Sequence, residues 1–273
     1  MFERLRRTVR GNAAHVADQM VARYRQEFRR VISEESDRVI AELRAEADRA
    51  VRAVAEAEFR ARRDVNAAGE REAVMASALF AQQHMPTVPT FAHSEETLKY
   101  ALTLVPEKGM ALEFGVYSGS TLRIITEARG ASDVYGFDSF QGLPEAWRPN
   151  IPAGAFHVAE KPDVPGAELV VGWFDDSLPP FMAEHSGPVT FLHVDCDLYS
   201  STVTVLDHVG PRLVAGSVVV FDEYWNYPGW LDHEHKAWME YVERTGTKFE
   251  YVSYTSNDEQ VAVRVTEVAG LDQ

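Results

Sequence analysis

The chain has 273 residues, of which 45% are hydrophobic and 11% aromatic, with a net charge of -15 and a single cysteine. That length suits one large domain or a medium domain with an appendage, and the lone Cys196 excludes an internal disulfide and any multi-cysteine zinc site. No run approaches the ~20 apolar residues of a membrane span, and no signal-peptide core follows Met1, which points to a cytoplasmic protein with no transmembrane segment. The charge is unevenly spread. Residues 1–63 hold 15 Arg against 11 acids, and the remainder holds 12 Lys and Arg against 31 acids. An acidic main body argues against nucleic acid as a partner, because the phosphate backbone calls for a basic surface.

Residues 1–83 contain no proline and only Gly11 and Gly69. Apolar residues recur at Leu5, Val9, Val16, Met20, Tyr24, Phe28 and Ile32, then at Val39, Leu43, Ala47, Val51 and Val54. Steps of three, four and seven predict one stripe along a long helix. The stripe needs a cover: a second copy in a homo-oligomer, the main body, or, for the basic "FERLRRTVR", a peripheral membrane contact. The prolines of "HMPTVPTF" make residues 84–92 a linker. "SEETLKYALTLV" then reads as a helix with Ser94 as its N-cap.

From Gly109 the period changes. Short β-branched runs alternate with helical patterns from "MALEF" to "DHEHKAWMEYVERT". The fold class is therefore α/β: a doubly wound, mainly parallel sheet over residues 93–273, with "KFEYVSYT" and "EQVAVRVTEV" as a closing antiparallel hairpin. Ligands of such sheets sit at the carboxyl ends of the strands.

The first strand ends in Glu113, Gly115 and Gly119 before a helix beginning near Ser118 to Thr121; its spacing is not the dinucleotide G-x-G-x-x-G. Glu113 at that point favours a cation or a hydroxyl over a pyrophosphate. The second strand ends in Asp138, placed to accept from two ribose hydroxyls. The third is followed by Trp173, Phe174 and Asp176, an aromatic wall and an acceptor suited to adenine. Together they fit S-adenosylmethionine. The fourth strand ends in Asp195 and the fifth in Asp222 and Glu223. Adjacent strands lie about 4.8 Å apart, so these carboxylates face one another and call for protons or a cation. Oxygen ligands alone favour Mg²⁺, Mn²⁺ or Ca²⁺. Candidate general bases are Asp195, His193 in phase with it, and His233 or His235. The aromatic "YWNYPGWLDHEH" suits stacking on a sugar ring.

Taken in order, "LEFGVYSGST", "GFDSFQGLPE", "GWFDDSLP", "VDCDLYSST" and "FDEY" resemble the macrocin/mycinamicin O-methyltransferase family over roughly residues 90–265. The resemblance implies a Rossmann-like seven-stranded methyltransferase fold, to which the long N-terminal helical extension of this chain is an atypical addition. It also implies an S-adenosylmethionine- and Mg²⁺ (or Mn²⁺)-dependent enzyme that methylates a hydroxyl of a small-molecule or glycan acceptor. The motifs add Tyr117, Ser118, Ser120, Ser139, Phe140 and Gly142 to the cofactor site, and make Asp195, Asp222 and Glu223 the metal ligands. The family more often carries two aspartates at the last pair. A metal-dependent hydroxylase on a related scaffold, and an interaction protein working through its helical arm, are the alternatives.

Overall fold

The computed structural model describes residues 2–130 and 133–268, and within these the side chains of 2–14 and 16 lie outside the description. The stripe positions Leu5, Val9 and Val16 and the side chains of "FERLRRTVR" therefore fall outside it. The chain divides into two compact units, residues 1–68 and 69–273.

The first unit consists of helix α1 (Phe2–Arg63) and the start of α2 (Val65–His84). The expected single arm is thus two helices. Asp64 separates them: its Oδ1 accepts from the Asn66 N–H at 2.9 Å and the Ala67 N–H at 3.3 Å, which ends one helix and caps the next. Along α1, Met20, Tyr24, Phe28, Ile32, Val39 and Leu43 are all exposed. Its polar surface carries ion pairs such as Arg30–Glu27 and Arg38–Glu42.

The second unit begins at Gly69, inside the segment expected to be arm, because the rest of α2 carries buried Ala73 and Ser77 and packs Phe80 against the core. A short β1 (Thr90–Phe91) follows, then α3 (Ser94–Leu102), β2 (Met110–Phe114), α4 (Ser120–Arg129), β3 (Val134–Asp138) and β4 (Glu168–Val171). After these come α5 (Phe174–Glu184), β5 (Val189–Val194), α6 (Tyr199–Val209), β6 (Leu213–Phe221), α7 (Glu234–Thr245), β7 (Lys248–Thr255) and β8 (Val261–Glu267). The sheet order is β1-β7-β8-β6-β5-β2-β3-β4, with β8 antiparallel between β6 and β7 and every other pairing parallel.

The doubly wound layout is present with eight strands rather than seven. The extra strand lies in the expected linker, where Tyr254 and Ser256 N–H donate to the Pro89 and Phe91 carbonyls. Ser94 is not a cap: His93 holds that position without a side-chain bond.

Strand alternation sends Leu112, Phe114, Leu192 and Val194 into one core with α5, α6 and α7, and Ala111 and Phe191 into the other with α3 and α4. Each buried Leu, Val or Phe among these contributes about 1.5–3 kcal/mol.

Candidate active site

Glu113 and His193 are register partners on β2 and β5, and His193 is paired in turn with Val220 on β6. Both point to the α3/α4 side, where burial forces them to satisfy each other. His193 Nδ1 lies 2.9 Å from Glu113 Oε1, and its Nε2 lies 3.7 Å from Asp222 Oδ1. Three adjacent strands thus end in a row of Glu113, His193 and Asp222. Burial alone would lower the His193 pKa; the carboxylates of Asp222 and Glu113 outweigh it and hold it well above the ordinary value.

Asp195 lies one step past β5 and Asp222 one step past β6, each tied by its backbone N–H to a neighbouring strand (Phe114 O of β2 at 2.8 Å, Val194 O of β5 at 2.9 Å). Single ligand atoms of His193, Asp195 and Asp222 all lie within 4.8 Å of one another. Glu223 is buried beside them, its Oε2 without a partner. Beneath it, fully buried Glu234 accepts the Glu223 N–H at 2.9 Å and leaves its own Oε1 unpartnered. Burial, reinforced by neighbouring carboxylates, raises Asp195, Glu223 and Glu234 far above the usual carboxylate range. Asp222 stays low, because bonds from His193 and Glu223 overcome its desolvation. Asp197, at φ +63°, is pushed up to about 7 by burial, against the pull of Arg148. The orphaned oxygens, and the crowding of carboxyls that hold protons where a cation could take their place, fit a hard divalent cation. His193 would offer Nε2 while its Nδ1–H donates to Glu113, the usual support of a metal-bound histidine.

Of these groups Asp195, Asp197 and Glu223 border a cleft of about 680 Å³, within the range of small-molecule sites. Of the expected cofactor residues, Gly115, Tyr117, Asp138, Ser139, Gly142, Trp173, Phe174 and Asp195 line it, and Glu223 borders it as well. Gly115 is obligatory: a Cβ there would meet the Asp195 carbonyl oxygen at 1.6 Å, at φ +95°. Asp138 does more structural work than expected. Its Oδ2 accepts the Val116 and Tyr117 N–H groups, both at 2.9 Å, and its Oδ1 accepts Phe140 N–H at 2.7 Å, pinning the glycine loop to β3.

Other expected residues lie outside the cleft lining. Glu113 is turned inward to His193 and does not line the cleft. Phe140 is buried in the core. Ser118 and Ser120 bond each other at 2.8 Å, and Gly119 packs against Val164; none of the three lines the cleft. One turn of α5 presents Asp175, not Asp176.

His233 is half-buried at the start of α7 and outside the cleft lining, its pKa lowered by burial and by Arg148. His235 is packed among the rings of Phe80, Tyr224 and Trp230, and burial depresses it to about 4. The aromatics Tyr224, Trp225, Tyr227 and Trp230 are core residues, not a sugar platform. In their place the irregular segment between β3 and β4 supplies Trp147 and Phe156 to the cleft. Arg148 anchors that segment. Its guanidinium lies 3.7 Å from the Trp147 ring centre and 3.6 Å from that of Tyr227, and it forms a two-bond pair with Glu259. The only legible signal for it was an aromatic–arginine pair beside prolines.

Residues 112–224 match a protein family described as a methyltransferase domain. The chain is 27% identical over 170 residues to 8-demethyl-8-(2,3-dimethoxy-alpha-L-rhamnosyl)-tetracenomycin-C 4'-O-methyltransferase of Streptomyces olivaceus, covering 50% of this chain and 64% of that protein. It is 30% identical over 143 residues to mycinamicin III 3''-O-methyltransferase of Micromonospora griseorubida, covering 42% and 55%. The chain therefore spans less than two thirds of the curated relatives it matches. Among solved structures, the calicheamicin methyltransferase CalS11 aligns at 23% identity and a TM-score of 0.48, over 63% of this chain and 77% of that one.

Proposed function

We propose, from the match of residues 112–224 to a methyltransferase-domain family, that this protein transfers a methyl group from S-adenosylmethionine to a hydroxyl of a sugar or glycosylated small molecule, with a divalent cation. The relatives' names support the acceptor class. The observation that carries the reading is the convergence of Asp195, Asp197 and Glu223 on one cleft, with Asp222 and His193 directly behind.

The roles follow from placement. Tyr117, Asp138, Ser139, Trp173 and Phe174 border the part of the cleft that would receive the nucleoside, with aromatic faces for the base and polar groups for the ribose. Asp195 and Asp222, with His193 Nε2 or the unpartnered Glu223 Oε2, would hold Mg²⁺ or Mn²⁺. Such an ion lowers the pKa of a hydroxyl bound to it. Asp197, which lines the same cleft beside Asp195, accepts the hydroxyl proton on a carboxylate oxygen. Glu113 fixes the imidazole tautomer of His193 and so the direction of its Nε2. Trp147 and Phe156 exclude water and hold the acceptor ring in line with the methyl group.

Calorimetry with S-adenosylmethionine, with and without Mg²⁺, followed by mass spectrometry of rhamnosyl acceptors, tests the reading. A gain of one methyl that EDTA abolishes is expected. Absence of cofactor binding in both conditions would refute the activity, and transfer indifferent to EDTA would refute the role of the metal.

A further inference from the structure

Helix α1 makes up most of the unit of residues 1–68, and the large apolar side chains described along it from Met20 to Phe59 are uncovered; Tyr24 is 75% exposed and Phe28 69%. The stripe runs Ala17, Met20/Val21, Tyr24, Phe28, Val31/Ile32, Glu35, Val39/Ile40, Leu43, Ala47, Ala50/Val51, Val54. Its mean step of about 3.7 residues lies as far above the 3.6 of an undistorted helix as the heptad's 3.5 lies below it, so the stripe drifts in the opposite, right-handed sense to a heptad seam. Charge along the same helix is polarised. Residues 17–31 carry four arginines against Asp18 and Glu27, whereas residues 34–58 carry eight acids against four arginines. A parallel pair would set like on like.

We infer that α1 pairs antiparallel with α1 of a second copy, residue i facing residue 71 − i about a two-fold axis between Glu35 and Ser36. In that register Met20 faces Val51, Tyr24 faces the small Ala47, Phe28 faces Leu43 and Ile32 faces Val39. On the flanks Arg23 faces Asp48, Arg25 faces Glu46, Glu27 faces Arg44 and Arg29 faces Glu42. The one like-charge encounter, Glu34 with Asp37, lies beside Arg30 and Arg38, which already neighbour acids in each copy. An isologous contact of this kind closes on itself and yields a dimer.

The test uses the full chain. Light scattering gives the mass, and spin labels on Ser36→Cys and Ala55→Cys give distances between copies; Cys196 is buried, and the unsubstituted chain is the labelling control. A two-chain mass is expected, with a short separation of about 20 Å or less at position 36 and one of roughly 60 Å at position 55, from the 1.5 Å rise per residue. Arg25→Glu weakens the dimer at least tenfold, and Arg25→Glu with Glu46→Arg restores it. A single-chain or three-chain mass, a short distance at position 55, or no rescue by the charge swap overturns the pairing. So does association only with vesicles of phosphatidylserine and phosphatidylcholine, which assigns the stripe to a membrane surface.

Discussion

Replacing Gly115 with alanine tests how the site is built. The added methyl would lie 1.6 Å from the Asp195 carbonyl oxygen and 2.7 Å from its carbon, about 2 Å inside ordinary contact. Neither atom belongs to a flexible side chain, so the ends of β2 and β5 must part. That movement breaks the Asp195 N–H bond to Phe114 O, worth about 1 kcal/mol. The residue's φ of +95° adds roughly 1–2 kcal/mol of strain for any L side chain. With the packing lost between the strands, the total is about 4 kcal/mol. Gly130 is the control: its φ is +74° but a Cβ there meets nothing within 4 Å, so Gly130→Ala costs only about 1 kcal/mol. Guanidinium unfolding of both variants at matched m-values measures the difference, and cofactor titration follows the site. If Gly115→Ala unfolds within 1 kcal/mol of Gly130→Ala, the close approach of the strands is not what fixes this residue.

Asp197→Asn tests the acidic cleft through pH. A carboxyl whose folded-state pKa lies above its unfolded one binds more protons when folded, so its contribution to stability falls as pH rises from about 4 to about 7; the variant removes up to about 4 kcal/mol of that fall, read from metal-free unfolding across this range. Glu223→Gln keeps a neutral group where burial already favours one, so its melting temperature in EDTA at pH 7 is not lowered; stimulation of methyl transfer by Mg²⁺ or Mn²⁺ drops about tenfold or more. Equal stimulation in the variant removes Glu223 from the ion's surroundings. Arg148→Met strips Glu259 of its partner and Trp147 of its stacking cation, costing about 3 kcal/mol and raising KM for the acceptor more than for the cofactor. Equal KM changes would detach the β3–β4 segment from acceptor binding.

The strand ends were readable because a buried parallel strand has few reasons to stop at a carboxylate. Asp138, Asp195 and Asp222 therefore marked the same edge of the sheet before any coordinates did. Orientation was not readable. By position Glu113 and His193 look like residues that line the cleft, yet pleating and register turn them toward each other behind it. The aromatic run after Glu223 misled for a related reason: Phe80 of α2, more than a hundred residues away, draws Tyr224 and Trp230 into the core. No local pattern announces such a contact. Trp147, Arg148 and Glu234 went unread because their partners, Tyr227, Glu259 and Glu223, are distant in sequence or a turn away across a loop. The proline linker yielded a strand because the free edge of β7 offers it hydrogen bonds.

The insertion of β8 between β6 and β7 sets a timetable for synthesis. A nascent chain halted before Val261 has β2 to β6 available, but β6 still presents a bare edge, and β7 has no neighbour to attach it to the growing sheet. The strand that joins the two portions emerges after both of them, so ribosome-bound intermediates carry an adhesive flank until β8 is out. Shortened transcripts, or stop codons upstream of that strand, are therefore expected to yield insoluble material rather than a small working enzyme.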